Sequence, residues 1–135
     1  MFNNSMLQYM KSNIRSNMCL FCKIVNQEIP ANIEMENDNF LAFHDINPKA
    51  PVHMLVIPKQ HVDSFNEVSA ETMAGMTTFI QELVEHVGIK ESGYRLISNV
   101  GHNGGQEVKH LHWHVIGGAK LTFPHLTDAD SKNFL

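Results

Sequence analysis

The sequence predicts an α+β fold, in which a five-stranded antiparallel sheet carries one long helix and a short N-terminal helix. Two observations predict this fold. Five short segments rich in β-branched, aromatic and aliphatic residues are separated by turn-forming residues. One further segment, 69–87, has the apolar spacing of an amphipathic helix. A parallel sheet would need a helix between most successive strands, so the single long helix favours antiparallel pairing.

The first elements are a short helix and a hairpin. Residues 20–27 have the apolar spacing of a short helix, which has to end before Pro30. Residues 32–36 and 40–44 are predicted strands, because the Asn-Asp-Asn sequence between them is typical of a turn. These two strands are therefore expected to pair as a hairpin.

A central strand and the long helix follow. Residues 52–57 are apolar on both faces, which predicts a strand in the middle of the sheet, and Pro58 ends it. In the helix over 69–87, Ser69 is a favourable N-cap and Gly88 suits the position after the last turn. The apolar stripe of this helix, which we expect to pack in the core, consists of Met73, Met76, Ile80, Leu83 and Val87.

The last two strands flank a glycine-rich loop. Residues 94–100 and 108–116 are predicted strands, and residues 101–106 (GHNGGQ) form the loop between them. The outer face of such a sheet needs cover. We therefore expect a homodimer, with the sheet continuing from one chain into the other.

Composition and charge exclude several classes of function. The net charge of −4 gives no positive surface that would attract nucleic acid, and no apolar run approaches the roughly 18–20 residues of a membrane span. Residues 1–17 lack the apolar stretch of a signal peptide, and the only cysteines are Cys19 and Cys22. We therefore expect a protein of the reducing cytoplasm. Its single domain should cover 18–126, after a disordered or extension tail over 1–17 and before a flexible tail over 127–135.

The residues most indicative of chemistry are the histidines of His110-Leu111-His112-Trp113-His114. Side chains on a strand alternate between its faces, so the three histidines should point one way and the residues between them into the core. Neighbouring histidines would then lie about 7 Å apart. Imidazole titrates near neutrality and serves as a nucleophile, an acid or base, or a metal ligand. Three imidazoles on one face have no packing role and therefore predict a functional site.

The loop directly before these histidines points to a phosphorylated substrate. Gly104, Gly105 and Gln106 can bring bare backbone N–H groups close to an anion. Alone, such a loop is equally typical of an ordinary hairpin. Its position before the histidines places hydrogen-bond donors at the mouth of the histidine face.

These motifs resemble a known family. Residues 110–116 match the H-φ-H-φ-H-φ-φ pattern (φ, apolar) of the histidine triad nucleotide-binding family. The segments CLFCKIVNQEIP, LAFHDINPKAP, HMLVIPKQH and NVGHNGGQEVKHLHWHVIGG occur in the family's order. The resemblance extends from about Cys19 to Pro124 and is strongest to the small phosphoramidases of the family.

The resemblance implies a hydrolase that cleaves the P–N or P–O bond of purine nucleoside 5′-phosphoramidates and related AMP or GMP conjugates. His112 would attack the α-phosphorus and carry a covalent nucleotide, with a backbone carbonyl fixing its tautomer. His114 would contact the phosphoryl oxygens, and His53 would orient the triad. No cofactor would be required for catalysis.

The resemblance also implies the nucleotide-binding residues. Asp45 would accept hydrogen bonds from the ribose hydroxyls, although an aspartate before Pro48 is equally typical of a turn. Asn99 and the backbone at Gly105 and Gln106 would hold phosphate and ribose, beside His112 and His114. The base would lie against Phe21, Ile24, Phe43, Ile46 and Leu55.

Two further positions bear on the substrate. Glu107 stands where some relatives have serine. A carboxylate there repels phosphate unless it faces away, is protonated or binds a cationic amine leaving group, so Glu107 affects the choice of leaving group. The resemblance to the phosphoramidases also implies that a C-terminal aromatic residue reaches the partner's site in a dimer, and Phe123 is the candidate here.

The motif Cys19-x-x-Cys22 is half of a zinc site, and a tetrahedral ion needs two more ligands. The resemblance implies His53 and His110 as these ligands. Such a site would be structural, because protein atoms fill all four positions. The alternative is a pair of reduced cysteines without a metal.

Two other functions compete with the phosphoramidase. A zinc hydrolase could use the three strand histidines as ligands, but these would span about 13 Å, too far to share one ion without a bend. A non-catalytic nucleotide-binding module or scaffold would bind AMP without turnover. A zinc hydrolase would also leave the AFHDI and GGQ segments unexplained, and the intact HLHWH motif argues against a non-catalytic module.

Overall fold

The structure, a computed structural model, describes residues 19–123, 126, 127 and 132. Its elements are α1 (Leu20–Val25), β1 (Ile33–Glu36), β2 (Phe40–His44), β3 (Val52–Pro58), α2 (Ala70–His86), β4 (Tyr94–Ile97) and β5 (Trp113–Gly117). The predicted α+β fold, with five strands, one long helix and a short N-terminal helix, is confirmed. The predicted tail over 1–17 lies outside the described residues, as does most of the predicted tail over 127–135.

The strands form one antiparallel sheet in the order β1-β2-β3-β5-β4. The strand β3 lies in the middle, as its apolar sequence predicts. Its register against β5 pairs His53 with Ile116 and Leu55 with His114. This register therefore places His53 of β3 and His114 of β5 near each other in the sheet.

The long helix α2 covers one face of the sheet. Ser69 caps it as predicted, accepting a hydrogen bond from the Thr72 N–H at 3.0 Å. The buried residues of α2 are Met76, Phe79, Ile80, Leu83 and Val84, and they pack with Ala42, Met54 and Val56 of the sheet. Met73 and Val87 of the predicted stripe are partly buried at the edge of this core. Neither described helix has the length and apolar character needed to cross a membrane.

The opposite face of the sheet is covered by α1, which ends at Val25, two residues earlier than predicted. Side chains of β2 and β3 that point away from α2 form a second core with this helix. The members of this core are Cys19, Phe21, Cys22, Ile24, Leu41, Phe43, Leu55 and Ile57. The short helix thus places one aromatic ring and both cysteines against the sheet.

The last two strands are shorter than predicted. The strand β4 ends at Ile97 rather than at residue 100, and β5 begins at Trp113 rather than at 108. The chain bends before β5 because the His110 N–H donates to the carbonyl of Val108, at 2.9 Å. Only the last of the three triad histidines therefore lies in the regular strand.

The predicted alternation of side chains persists through this bend. Leu111 and Val115 join the core on the α2 side. His110 and His112 lie on the other side, with ring centroids 5.9 and 5.1 Å from that of Phe21 in α1. The imidazoles are therefore gathered on the α1 face of the sheet.

Candidate active site and metal cluster

His112 is 6% exposed, and a hydrogen bond determines which of its ring nitrogens carries the proton. Its Nδ1 lies 2.7 Å from the main-chain carbonyl oxygen of His110, so Nδ1–H donates to that oxygen. The neutral ring then carries its lone pair on Nε2. Phe21 packs edge-on against the ring, at an interplanar angle of 86°. One ring nitrogen is therefore ready to act as a nucleophile.

His53 and His114 form a hydrogen-bonded pair beside His112. The Lys49 N–H donates to His53 Nδ1 at 3.0 Å, so the proton of neutral His53 is on Nε2. This Nε2–H donates to His114 Nδ1 at 2.9 Å, which places the proton of His114 on its own Nε2. The rings of His112 and His114 are 5.2 Å apart. A free lone pair and a fixed N–H donor thus stand side by side.

Burial keeps this pair uncharged. The pKa of His114 is lowered to about 4, mainly by desolvation and then by the neighbouring His112 and His53. Desolvation also lowers the pKa of His53, against the opposing effect of Asp45. Both rings are therefore neutral at pH 7, and the proton positions derived above apply.

We expect the free energy of unfolding of the metal-free protein to fall as the pH drops from about 6.5 to about 4. His114 takes up a proton near pH 6.5 in the unfolded chain but only near pH 4 in the folded one. The unfolded state therefore binds more protons throughout this window, and stability is lost. Urea unfolding at several pH values measures the effect. His114→Asn should show a weaker pH dependence, and an unchanged dependence would contradict the assignment.

A cavity of about 1000 Å³ opens over these rings. Its walls are apolar towards α1 and polar towards the glycine-rich loop. The residues predicted to bind nucleotide that line it are Phe21, Ile24, Phe43, Asp45, Ile46, Leu55, Asn99, Gly105, Glu107, His112 and His114. Tertiary folding thus brings together nearly the whole predicted set.

Asp45 combines its two predicted roles. Its Oδ1 accepts a hydrogen bond from the Asn47 N–H at 2.8 Å, as expected of a turn residue. Its Oδ2 lies 3.4 Å from His53 Nε2, and the residue lines the cavity. A carboxylate has further acceptor sites, so adjacent hydroxyls of a ligand can still donate to it.

Gln106 departs from the prediction, because it does not line the cavity. Its Nε2 donates to the carbonyl of Asp63 at 2.7 Å, and its Oε1 accepts from the Gly101 N–H at 3.0 Å. The main-chain N–H groups of Gly105 and Gln106 donate to the carbonyls of His102 and Gly101. The loop thus uses for its own folding the main-chain donors that were expected to bind phosphate.

The same loop requires glycine at position 104. A Cβ there would lie 2.2 Å from the carbonyl oxygen of Val100, a distance that no side chain tolerates. Glu107, at the end of the loop, is exposed and lines the cavity. Within the described part of the chain, no hydrogen bond or ion pair is found for Glu107.

Four potential metal ligands converge where α1 meets the sheet. One ligand atom each from Cys19, Cys22, His61 and His110 lies within 4.8 Å of the others. The Sγ–Nδ1 distances are 3.2 Å for Cys19–His110, 3.3 Å for Cys22–His61 and 3.5 Å for Cys22–His110. Sulfur and nitrogen ligands of one tetrahedral zinc ion lie about 3.6 Å apart. We call these four residues the cysteine–histidine cluster.

Both histidines of the cluster have the proton positions that a metal requires. His110 Nε2–H donates to the carbonyl of Pro58 at 2.8 Å, and His61 Nε2–H donates to Asp63 Oδ1 at 2.6 Å. Each Nδ1 therefore presents a lone pair to the thiols. Desolvation, as the main cause, lowers the pKa of His110 to about 4. The cluster fits a structural zinc ion.

The implied zinc ligand His53 is wrong, and His61 takes its place. His53 lies near the start of β3, whereas His110 bonds to Pro58 at the end of that strand. Five residues of strand separate these two ends by about 16 Å, which excludes a shared ion. The HMLVIPKQH segment contains both histidines, and only the path of the chain after Pro58 decides between them.

A second group, Asp45, His53 and His114, is close enough to hold a metal but does not fit one. A metal on His53 Nε2 would require a proton on Nδ1, where the Lys49 N–H already donates. The group therefore fits a hydrogen-bond relay. The three triad histidines do not share a site either, because His110 belongs to the cysteine–histidine cluster and His114 to the relay.

The sequence profile of the HIT domain matches residues 26–121. This match covers most of the chain, including the triad, the glycine-rich loop, His53 and His61. The chain belongs to the HIT, or histidine triad, family. Cys19 and Cys22 precede the HIT match, so the cysteine–histidine cluster joins two residues outside it to two within it.

Individual HIT proteins agree with this assignment. A HIT-like protein of Helicobacter pylori is 57% identical over 103 residues, covering 76% of this chain and 99% of the relative. The purine nucleoside phosphoramidase of Escherichia coli is 45% identical over 105 residues, covering 76% and 88%. The structure of a HIT family hydrolase from Legionella pneumophila is 47% identical with a TM-score of 0.75, covering 78% and 97%. The general class is a nucleotide-binding HIT hydrolase.

Proposed function

We propose that this HIT protein hydrolyses purine nucleoside 5′-phosphoramidates and related AMP or GMP conjugates, at the P–N or P–O bond. The observation that carries the proposal is the 2.7 Å hydrogen bond from His112 Nδ1 to the His110 carbonyl, in a ring that lines the cavity. It leaves Nε2 as a nucleophile beside a nucleotide-sized space. The phosphoramidase relative supports the substrate class.

The reaction has two displacement steps at one phosphorus atom. His112 Nε2 forms a bond to the α-phosphorus while the bond from phosphorus to the leaving nitrogen breaks, and the leaving amine takes a proton from solvent. Water then attacks the same phosphorus, His112 leaves as a neutral imidazole, and one proton returns to solvent. The Nε2–H of His114 donates to a phosphoryl oxygen in both steps.

In this proposal, different walls of the cavity bind the base, the ribose and the phosphate of the nucleotide. The base lies against the apolar side chains from α1, β2 and β3, and the ribose hydroxyls donate to Asp45. The phosphate lies towards His112, His114 and Asn99. Positioning of this kind brings the phosphorus within reach of Nε2 and supplies much of the rate enhancement.

The test is a rapid acid quench of the protein with adenosine 5′-phosphoramidate, followed by peptide mass spectrometry. We expect an added AMP mass on the peptide that contains His112 during turnover. Release of AMP without an adduct at any quench time would argue against the covalent route. AMP binding without release would indicate a non-catalytic module.

Glu107 should favour leaving groups that carry a positive charge. Its carboxylate lines the cavity and forms no ion pair within the described residues, so a cationic amine can bind beside it. We expect Glu107→Gln to lower kcat/KM about fivefold for a cationic amine and to leave that of a neutral amine unchanged or higher. Glu91→Gln, a change at an exposed residue outside the cavity, is the control. Equal effects on both substrates would contradict this role.

We also propose that the cysteine–histidine cluster holds one structural zinc ion. Protein atoms occupy all four positions, so the ion has no place for a water molecule and braces the fold rather than the chemistry. Both cysteines are buried and free of disulfides. Thiol ligands require a reducing compartment, which supports the cytoplasm as the location.

A homodimer is proposed on the basis of the edge strand β4. Within the part of the chain that the structure describes, no strand pairs with its outer side, and Tyr94 and Leu96 on it are 36% and 41% exposed. Leu96 pairs with Val115, whose side chain lies in the α2-side core, but α2 packs mainly on β2 and β3. A second β4 would cover this apolar edge and continue the sheet. Sedimentation equilibrium should give twice the chain mass.

A further inference from the structure

Three successive residues after β3 each hold a different part of the site. The ring of His61 belongs to the cysteine–histidine cluster. The carbonyl of Val62 accepts a hydrogen bond from the Leu111 N–H at 2.7 Å. The carbonyl of Asp63 accepts one from the side-chain amide of Gln106, also at 2.7 Å. This short segment therefore connects the cluster with the triad segment and with the glycine-rich loop.

Asp63 contacts both the cysteine–histidine cluster, through its carboxylate, and the glycine-rich loop, through its main-chain carbonyl. Its carboxylate accepts from His61 Nε2–H at 2.6 Å and so orients the ring towards the thiols. Its main chain holds the loop. A ligand histidine is commonly fixed by such a carboxylate, and the loss of the carboxylate weakens metal binding.

Gln106 acts as the clamp of the loop. Its side chain bonds to the Gly101 N–H at 3.0 Å, to the Val108 carbonyl at 3.1 Å and to Asp63, which ties both ends of the loop together. Its neighbours Gly105 and Glu107 line the cavity, whereas Gln106 does not. Gln106 therefore positions the loop wall of the cavity through hydrogen bonds on the side that does not face the cavity.

We infer that the segment His61–Asp63 is a positioning element through which occupancy of the cysteine–histidine cluster tightens the nucleotide pocket. The inference rests on the proposed function, because it assumes that the cavity binds a nucleotide. A metal ion fixes His61, Asp63 is then held in place, and Gln106 holds the loop. His112 keeps its own hydrogen bond to a main-chain carbonyl. Metal loss therefore raises KM more than it lowers kcat.

The experiment compares the full-length wild type with Gln106→Leu and with Asn103→Ala, a change to an exposed loop residue outside the cavity. Each protein is loaded with zinc or stripped by a chelator. AMP affinity is measured by calorimetry, and amide hydrogen exchange is followed over residues 101–107. In the wild type and in Asn103→Ala, we expect zinc removal to weaken AMP binding about tenfold and to accelerate exchange of the loop. In Gln106→Leu, zinc removal should change neither quantity further.

The outcomes separate this inference from the proposed function. Loop exchange that does not respond to zinc in the wild type overturns the inference, and this measurement needs neither a variant nor a nucleotide. A chain that takes up no zinc, or an equal loss of AMP affinity in the wild type and in Gln106→Leu, overturns it as well. Zinc-dependent exchange without AMP binding supports the coupling of cluster and loop and instead overturns the proposed function.

Discussion

Replacing His112 with asparagine should reduce turnover of adenosine 5′-phosphoramidate by about 10⁴-fold or more, whereas AMP should still bind. The variant removes the ring whose Nε2 lone pair is held beside His114 by the hydrogen bond from Nδ1 to the His110 carbonyl. Loss of a catalytic nucleophile typically has an effect of this size or larger, about 10⁴- to 10⁶-fold. The residues proposed to contact the base and the ribose are other side chains of the cavity, and they do not depend on this nitrogen. Steady-state AMP release and calorimetric titration of AMP measure the two quantities.

The matched control is His86→Asn, which changes an exposed histidine at the end of α2. It should leave turnover and the AMP–enzyme adduct unchanged. An adduct that persists in the His112 variant would place the nucleophile elsewhere. Turnover within tenfold of the wild type would mean that water attacks the phosphorus directly.

Chelation of zinc should lower the melting temperature of the zinc-loaded protein by about 10 °C or more. Binding to the folded state alone contributes about 4 kcal/mol when free zinc exceeds its dissociation constant a thousandfold, and this converts to a shift of that size in a small domain. The cluster connects α1 to the segment after β3 and to the triad segment. The metal should therefore stabilise the contacts between all three. Scanning calorimetry with and without a chelator measures the shift.

Two histidine variants distinguish the ligand set given by the structure from the one implied by resemblance. His61→Asn should reduce zinc content well below one ion per chain and abolish the chelator effect. His53→Asn should bind zinc normally, because His53 belongs to the relay with His114. Zinc loss in His53→Asn with retention in His61→Asn would contradict the geometry described above.

The fold was largely predictable because local rules and tertiary packing agree. Ser69 caps α2 as its side chain predicts, and the 3.6-residue spacing of apolar residues in α2 matches the face that is buried. The period of two in β2 and β3 supplies two cores, one on each face of the sheet. The histidines at 110, 112 and 114 keep this period even where the chain leaves the strand.

The candidate site was less predictable where it depends on the path of the chain outside the strands. His53 and His61 are the first and last residues of one nine-residue segment, HMLVIPKQH, and nothing local indicates which one reaches the cysteines. The segment just before β5 is also held by a hydrogen bond from the Leu111 N–H to the Val62 carbonyl, a contact between distant parts of the sequence. The Gln106 side chain points away from the cavity because it bonds to the carbonyl of Asp63. These two residues are 43 positions apart in the sequence, so no local pattern indicates this contact.

The acceptor that fixes the proton of His112 is a main-chain carbonyl at position 110, and every amino acid carries that oxygen. A mutation at this position can remove an imidazole from the cysteine–histidine cluster, yet it cannot delete the hydrogen-bond partner of His112, the proposed nucleophile. The proposed metal site and the proposed nucleophile are therefore separable in evolution, although His110 contributes to both, with its ring and with its main-chain carbonyl. A lineage that lost its thiols, for example on moving to an oxidising environment, would not have to rebuild its reaction centre.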